Sequence, residues 1–236
     1  MIWLIPYIIG LVILVPFLYF RVKELRLLAV IIKAIVSLLF ITTALVAWFH
    51  TNHGDNYFGL YVIVGLVFGL FGDVLLDLKY MSKKHEFVYT ISGFFAFAFG
   101  HSFYLAGLFI YFYNFNANVM YIIVPVIITL LLTAATLLME VFTKIKYGKM
   151  RPFVLLYGLF LFFITSMYIS FAIQTNWQVS TINIMAISFL FFAFSDLILN
   201  NTYFAPGFNK PVYIIVNHVL YYIAQFSIAM SLFYLF

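Results

Sequence analysis

With 236 residues, 67% apolar, 22% aromatic and only 8% charged, the chain lacks the polar residues that coat a soluble domain, where about 25% are charged. That composition excludes a water-facing globule and points to an all-α polytopic membrane protein. At about 20 apolar residues per span, the length predicts eight helices in one domain, 1–236, and leaves no room for a soluble unit. Cysteine is absent, which excludes disulfides, thiol catalysis and thiolate metal sites. The net charge of +5 resides in loops between apolar runs, which suits a membrane surface and not a nucleic acid.

In chain order the apolar runs predict spans over Ile2–Phe20, Leu27–Phe49, Tyr57–Leu78, Phe87–Phe112, Val119–Phe142, Phe153–Ile173, Thr181–Leu199 and Val212–Phe236. The first has no basic residues ahead of it and no small-residue cleavage site, so it reads as a retained span and not a signal peptide. Pro6, Pro16 and Pro125 fall inside runs and are expected to kink them. Gly65-x-x-x-Gly69 gives the third helix a smooth face for close packing.

Basic residues set the expected orientation. Arg21, Lys23 and Arg26 flank the first loop; Lys79, Lys83 and Lys84 the third; Lys144, Lys146, Lys149 and Arg151 the fifth; Lys210 the seventh. The even-numbered loops carry none. Odd-numbered loops are therefore expected in the cytoplasm and both termini outside, with Lys33 near the start of the second span on the same side.

Most acidic residues lie in or beside loops, where hydration makes them cheap. Asp73 and Asp196 lie well inside apolar runs instead. A carboxylate there costs about 2.5–3.5 kcal/mol on insertion scales, which is tolerated when it faces the bundle interior and finds partners. His50, His53 and His85 are loop residues, whereas His101 and His218 are intramembrane.

These intramembrane residues recur in order. Phe71-Gly72-Asp73-Val74-Leu75-Leu76-Asp77 aligns with Phe194-Ser195-Asp196-Leu197-Ile198-Leu199-Asn200, and in each following span His101-x-x-Tyr104 aligns with His218-x-x-Tyr221. The even offset of four helices predicts a 4 + 4 parallel internal repeat about an axis along the membrane normal. Spacing of i to i+3 puts each His and Tyr on one face. If both faces turn inward, two carboxylates, two imidazoles and two phenols meet in one polar cavity. Asp77, one turn beyond Asp73, sets a like charge on the same face, and on that ground Asp73 is the expected proton donor and Asp196 the carboxylate, with Ser195 beside it.

The segments around Gly72-Asp73, His101-x-x-Tyr104, Ser195-Asp196 and Tyr221-Tyr222-x-Ala224-Gln225 resemble, in order and spacing, the YhhN family, which includes the animal lysoplasmalogenases. The resemblance runs from about Gly59 to Ser231. It implies an eight-span hydrolase without a cofactor or metal, acting on a lysophospholipid in the membrane. The bond cut would be the vinyl ether of a lysoplasmalogen, giving a fatty aldehyde and a glycerophospho-alcohol. Vinyl ethers hydrolyse by protonation of the β-carbon, leaving an oxocarbenium ion to which water adds. One carboxylic acid and one carboxylate supply what that path needs. Asp73 and Asp196 are the expected catalytic pair, with Asp77, His101, Tyr104, Ser195, His218, Tyr221, Tyr222 and Gln225 in support. Two other classes fit part of the same inventory. A metal-dependent lipid hydrolase could use the Asp and His residues as ligands, although paired H-x-x-x-H spacing is missing. A proton-coupled transporter would also carry intramembrane Asp and His in a repeat.

Overall fold

A computed structural model describes residues 4–51, 57–112 and 118–235. His53, Asp55 and the ends of the first and last expected spans, Ile2 and Phe236, lie outside the described residues. The described residues form eight long helices and no strand: α1 (Ile5–Val22), α2 (Arg26–His50), α3 (Tyr57–Leu78), α4 (Glu86–Tyr111), α5 (Met120–Phe142), α6 (Arg151–Gln174), α7 (Ser180–Phe204) and α8 (Pro211–Ser231). All eight are long and apolar enough to cross a bilayer. Large apolar side chains lie exposed along α1 and α5, among them Val12, Val15, Leu130, Leu131 and Val141. In water that surface would be untenable; facing lipid it costs nothing.

Hydropathy located the helices but not all of their ends. α7 runs to Phe204, five residues past the expected Leu199, because its polar last turns bond to their own backbone. Asn201 Nδ2 donates to the Leu197 carbonyl at 2.8 Å and Thr202 Oγ1 to that of Leu199 at 2.8 Å. Pro6 lies in the first turn of α1, where a missing N–H breaks no helical bond, so its expected kink does not arise. Pro125 is interior to α5, and its missing N–H frees the carbonyl of Tyr121 four residues back. The Ser170 hydroxyl of α6 donates to that carbonyl at 2.7 Å, so the freed acceptor ties α5 to α6.

Neighbouring helices pack in sequence within α1–α4 and again within α5–α8, and the halves meet where α2 packs on α8 and α4 on α6. A shift of four helices exchanges those two contacts, as the expected repeat requires. The match is incomplete, since α8 also packs on α1 and α3 while the corresponding approaches of α4 to α5 and α7 are weak or absent. The glycine face of α3 receives side chains. A Cβ at Gly65 would strike the Tyr104 ring, and one at Gly69 would strike the Gln225 amide at 2.8 Å. At Gly100 of α4 the close neighbour is backbone, since a Cβ there would lie 2.9 Å from the Gly65 carbonyl. Odd-numbered connections gather at one end, here called the basic end. There the Arg21 guanidinium lies over the Tyr80 ring at 3.7 Å, and Lys146 N–H donates to the Phe204 carbonyl at 3.0 Å.

Candidate active site

Asp73 and Asp77 are one turn apart on α3 and both face inward, with residue exposures of 1% and 2%. Asp77 is thus buried and not hydrated beside a loop. Burial of two carboxylates on one face demands a cation, and α2 supplies it. Lys33 Nζ lies 3.3 Å from Asp73 Oδ1 and 3.1 Å from Asp77 Oδ1, and its residue is 5% exposed. The like charges on which Asp73 was expected to be the donor are therefore bridged by an ammonium. One turn further along α2, Ser37 Oγ donates to Asp73 Oδ2 at 2.6 Å. From α8, Tyr221 Oη donates to the same oxygen at 2.8 Å and receives a bond from Gln225 Nε2 at 2.8 Å. Tyr222 lies one layer behind, its hydroxyl 3.4 Å from Ser37 Oγ. Asp73 therefore has a full set of charged and neutral donors, whereas Asp77 Oδ2 has no hydrogen-bond partner among the described residues.

Asp196 has different surroundings. On α7 its Oδ2 accepts from the hydroxyl of Tyr157 on α6, and among the described residues no cation lies within ion-pair distance of it. Ser195 and Asn217 fix its direction by locking α7 to α8. Ser195 Oγ donates to the Asn217 carbonyl at 3.1 Å, and Asn217 Nδ2 donates back to the Ser195 carbonyl at 2.7 Å.

Both aspartates open onto one narrow recess of about 40 Å³, lined also by Lys33, Asp77, Ser195, His218 and Tyr221. The wall thus comes from α2, α3, α7 and α8 and from Phe97 of α4, with Arg21 of α1 and Tyr80 at the basic end. His218 Nδ1 faces the Ile214 carbonyl at 2.8 Å. A carbonyl only accepts, so the proton is on Nδ1 and a neutral ring has Nε2 free to accept.

His101 and Tyr104 do not share this recess. His101 stacks on Tyr157 at 5.9 Å and meets Phe192 edge-on at 5.0 Å, and neither ring nitrogen has a hydrogen-bond partner among the described residues. Tyr104 Oη also lacks one, while its carbonyl accepts from Tyr168 Oη at 2.9 Å. The shared face expected from H-x-x-Y is real, but on α4 it turns to the aromatic packing with α6 and α7, and only on α8 does it turn to the carboxylates. His101 reaches the site at one remove, by backing the phenol that holds Asp196.

Ser37, Tyr157 and Asn217 escaped the sequence analysis, and Lys33 entered it only as a charge that fits the orientation. Lys33 could have been found by the rule that selected the aspartates, since it too is a charge inside an apolar run. Tyr157 had no such signal, as one of 18 tyrosines. Among the described residues, no three His, Asp or Glu side chains assemble as a ligand set for a metal ion, and the position between Asp73 and Asp77 is taken by Lys33.

No curated protein and no solved structure matches the chain. The YhhN family matches it over residues 7–232, which takes in α2 to α8, all but the first two residues of α1, and every residue of the recess. Eight apolar helices and this match together make the chain an integral, multi-pass membrane protein that belongs to the YhhN family.

Proposed function

We propose that the protein is a membrane hydrolase of the lysoplasmalogenase type, cleaving the vinyl ether bond of a lysophospholipid to a fatty aldehyde and a glycerophospho-alcohol. The observation that carries this reading is the pair of buried carboxylates with unlike partners on one recess. Asp73 has a cation and two hydroxyl donors, the surroundings of a stable carboxylate. Among the described residues Asp196 has only a phenol as direct partner, and a carboxyl group without a cation beside it is better kept neutral. Asp196 is accordingly the proton donor and Asp73 the anion, the reverse of the order expected from the spacing of Asp73 and Asp77.

In the reaction the Asp196 carboxyl proton passes to the β-carbon of the vinyl ether. The C=C electron pair forms the new C–H bond, and the carbon bonded to oxygen becomes an oxocarbenium ion. The Asp73 carboxylate stabilises that cation electrostatically. Water adds to the cationic carbon and gives up a proton to the Asp196 carboxylate, which restores the acid. The hemiacetal then collapses to aldehyde and alcohol. Tyr157 holds Asp196 toward the recess, Tyr221 and Ser37 hold Asp73, and His218 Nε2 is placed to accept from the water. No step calls on a metal or cofactor. The basic end is assigned to the cytoplasm by its lysines and arginines, with both termini on the other side.

The test is turnover of a lysoplasmalogen by purified protein in detergent, read as aldehyde release. Asp73→Asn and Asp196→Asn, each folded, should abolish it. Undiminished turnover in both variants would refute the reading. Absence of turnover in the folded parent would point to a carrier instead, because transport cannot be seen without two compartments.

A further inference from the structure

A second, wider cleft of about 510 Å³ adjoins the recess at the basic end, and Tyr80, Thr202, Tyr203 and Asn209 line both. Its charged residues are Lys79, Lys83, Lys84 and, on the exposed rim, Glu86. Lysines at this end satisfy the orientation rule for membrane proteins, but that rule needs them only near the surface. Lys79 is different. It is 6% exposed, its Nζ stands 2.9 Å above the Tyr203 ring and 4.9 Å from that of Tyr80, and among the described residues no carboxylate is within ion-pair distance. On the other side of Tyr80, Arg21 places its guanidinium against the ring, and its Nε is buried without a hydrogen-bond partner among the described residues. A buried ammonium and a half-buried guanidinium thus flank one aromatic wall, and among the described residues neither has a carboxylate within ion-pair distance.

We propose that the junction of recess and cleft is a phosphoryl-anion subsite, with Arg21 on the recess side and Lys79 on the cleft side as its cations, and that the anion is the headgroup phosphate of a lipid. The depth favours a lipid over free phosphate. Lys79 and Tyr80 immediately follow the end of α3 and Tyr203 is in the last turn of α7, the level at which bilayer phosphates lie, while the half-exposed Phe87 gives the cleft an apolar rim. The inference rests on the hydrolase reading only for the order of parts along the substrate: phosphate at Arg21 and Lys79, vinyl ether at Asp73 and Asp196.

The charges around Lys79 make the subsite depend on pH. Its neighbours are Arg21 of α1, Lys33 of α2, Asp77 of α3, Glu86 of α4, and the phenols of Tyr80 and Tyr203. Burial, reinforced by Arg21, holds the Lys79 amine well below its usual 10.5. A bound phosphate would raise it again, so binding between those limits takes up a proton and strengthens as pH falls.

The experiment measures binding to the purified full-length protein in detergent, with three probes. These are an alkyl-ether lysophospholipid bearing a phosphate monoester, the matching alkylglycerol without phosphate, and inorganic phosphate. None can be turned over, so binding and hydrolysis fail separately. The phosphate lipid should bind at least about tenfold more tightly than the alkylglycerol, and Lys79→Met or Arg21→Gln should each remove about fivefold or more of that preference. Lys79→Arg should retain it, as should Lys144→Met on the exposed fifth loop. Equal affinity for the two lipids, or a preference untouched in both Lys79→Met and Arg21→Gln, overturns the subsite. Inorganic phosphate binding as tightly as the phosphate lipid overturns the lipid headgroup as the anion. A protein that prefers the phosphate lipid yet leaves vinyl ethers intact keeps the subsite and loses the hydrolase.

Discussion

Replacing Lys33 by methionine keeps most of the side-chain volume and deletes the charge between Asp73 and Asp77. The two carboxylates do not suffer equally. Asp73 keeps Ser37 at 2.6 Å and Tyr221 at 2.8 Å, whereas Asp77, whose Oδ2 already lacks a hydrogen-bond partner, loses the donor to Oδ1 at 3.1 Å. Removing one partner of a buried ion pair costs about 3–5 kcal/mol, because an uncompensated charge stays behind. In unfolding equilibrium that is a factor of roughly 10²–10³·⁵. If Asp77 bears most of this cost, Lys33→Met with Asp77→Asn removes cation and anion together and should regain at least about 2 kcal/mol of it. Titration of the purified protein with sodium dodecyl sulfate in mixed micelles, followed by tryptophan fluorescence, measures all members of the cycle. Lys33→Met within about 1 kcal/mol of the parent, or two substitutions whose costs simply add, would refute the argument.

Other substitutions divide chemistry from packing. Asp196→Asn should keep the parent's stability and lose about 10²–10⁴-fold in aldehyde release, the span of general acid catalysis; Tyr157→Phe, which removes only the phenol donor, should lose about tenfold, and equal losses would mean that Tyr157 does more than hold Asp196. Gly100→Ala, aimed at the Gly65 carbonyl, should destabilise by about 1–3 kcal/mol, while Gly158→Ala, whose nearest neighbour is the Phe162 ring at 3.7 Å, should stay within about 1 kcal/mol of the parent in the same titration. The Michaelis constant should rise with pH by at most about tenfold per unit, the limit for one proton taken up on binding, and Lys79→Arg should flatten the rise; a constant independent of pH in the parent would dissociate Lys79 from the phosphate. Lys210 is exposed and lines neither cavity, so Lys210→Met should leave that constant unchanged.

The helices were readable because lipid imposes one constraint, about 20 apolar residues, on every span. Asp73 and Asp196 were readable for the same reason, as costly exceptions to it. Lys33 obeyed the identical logic yet was hidden, because its charge also fitted the count of basic residues on one side of the membrane. Periodicity put His101 and Tyr104 on one face of α4, and they are on one face. What spacing does not encode is the neighbour that face meets, and a packed wall of Tyr157, Phe189 and Phe192 receives His101. Residue equivalence along the chain therefore foretold Asp73 and Asp196 on one recess without foretelling that their partners would be an ammonium in one half and a phenol in the other.

The lysine of α2 and its two carboxylates also impose an order on biosynthesis. Lys33 leaves the ribosome 44 residues before Asp77, so α2 enters the bilayer carrying a cation whose counter-ions have not yet been made. Its leucines, isoleucines and phenylalanines must carry that charge alone, at about 2.5–3.5 kcal/mol near the centre and less toward the surface. The arrival of α3 converts the liability into the contact that joins the two helices. A chain truncated after α2 should thus be caught half-inserted more often than one with Lys33→Leu, whereas a chain truncated after α3 should insert equally well with or without the lysine, a difference that glycosylation-site mapping of the second loop would register.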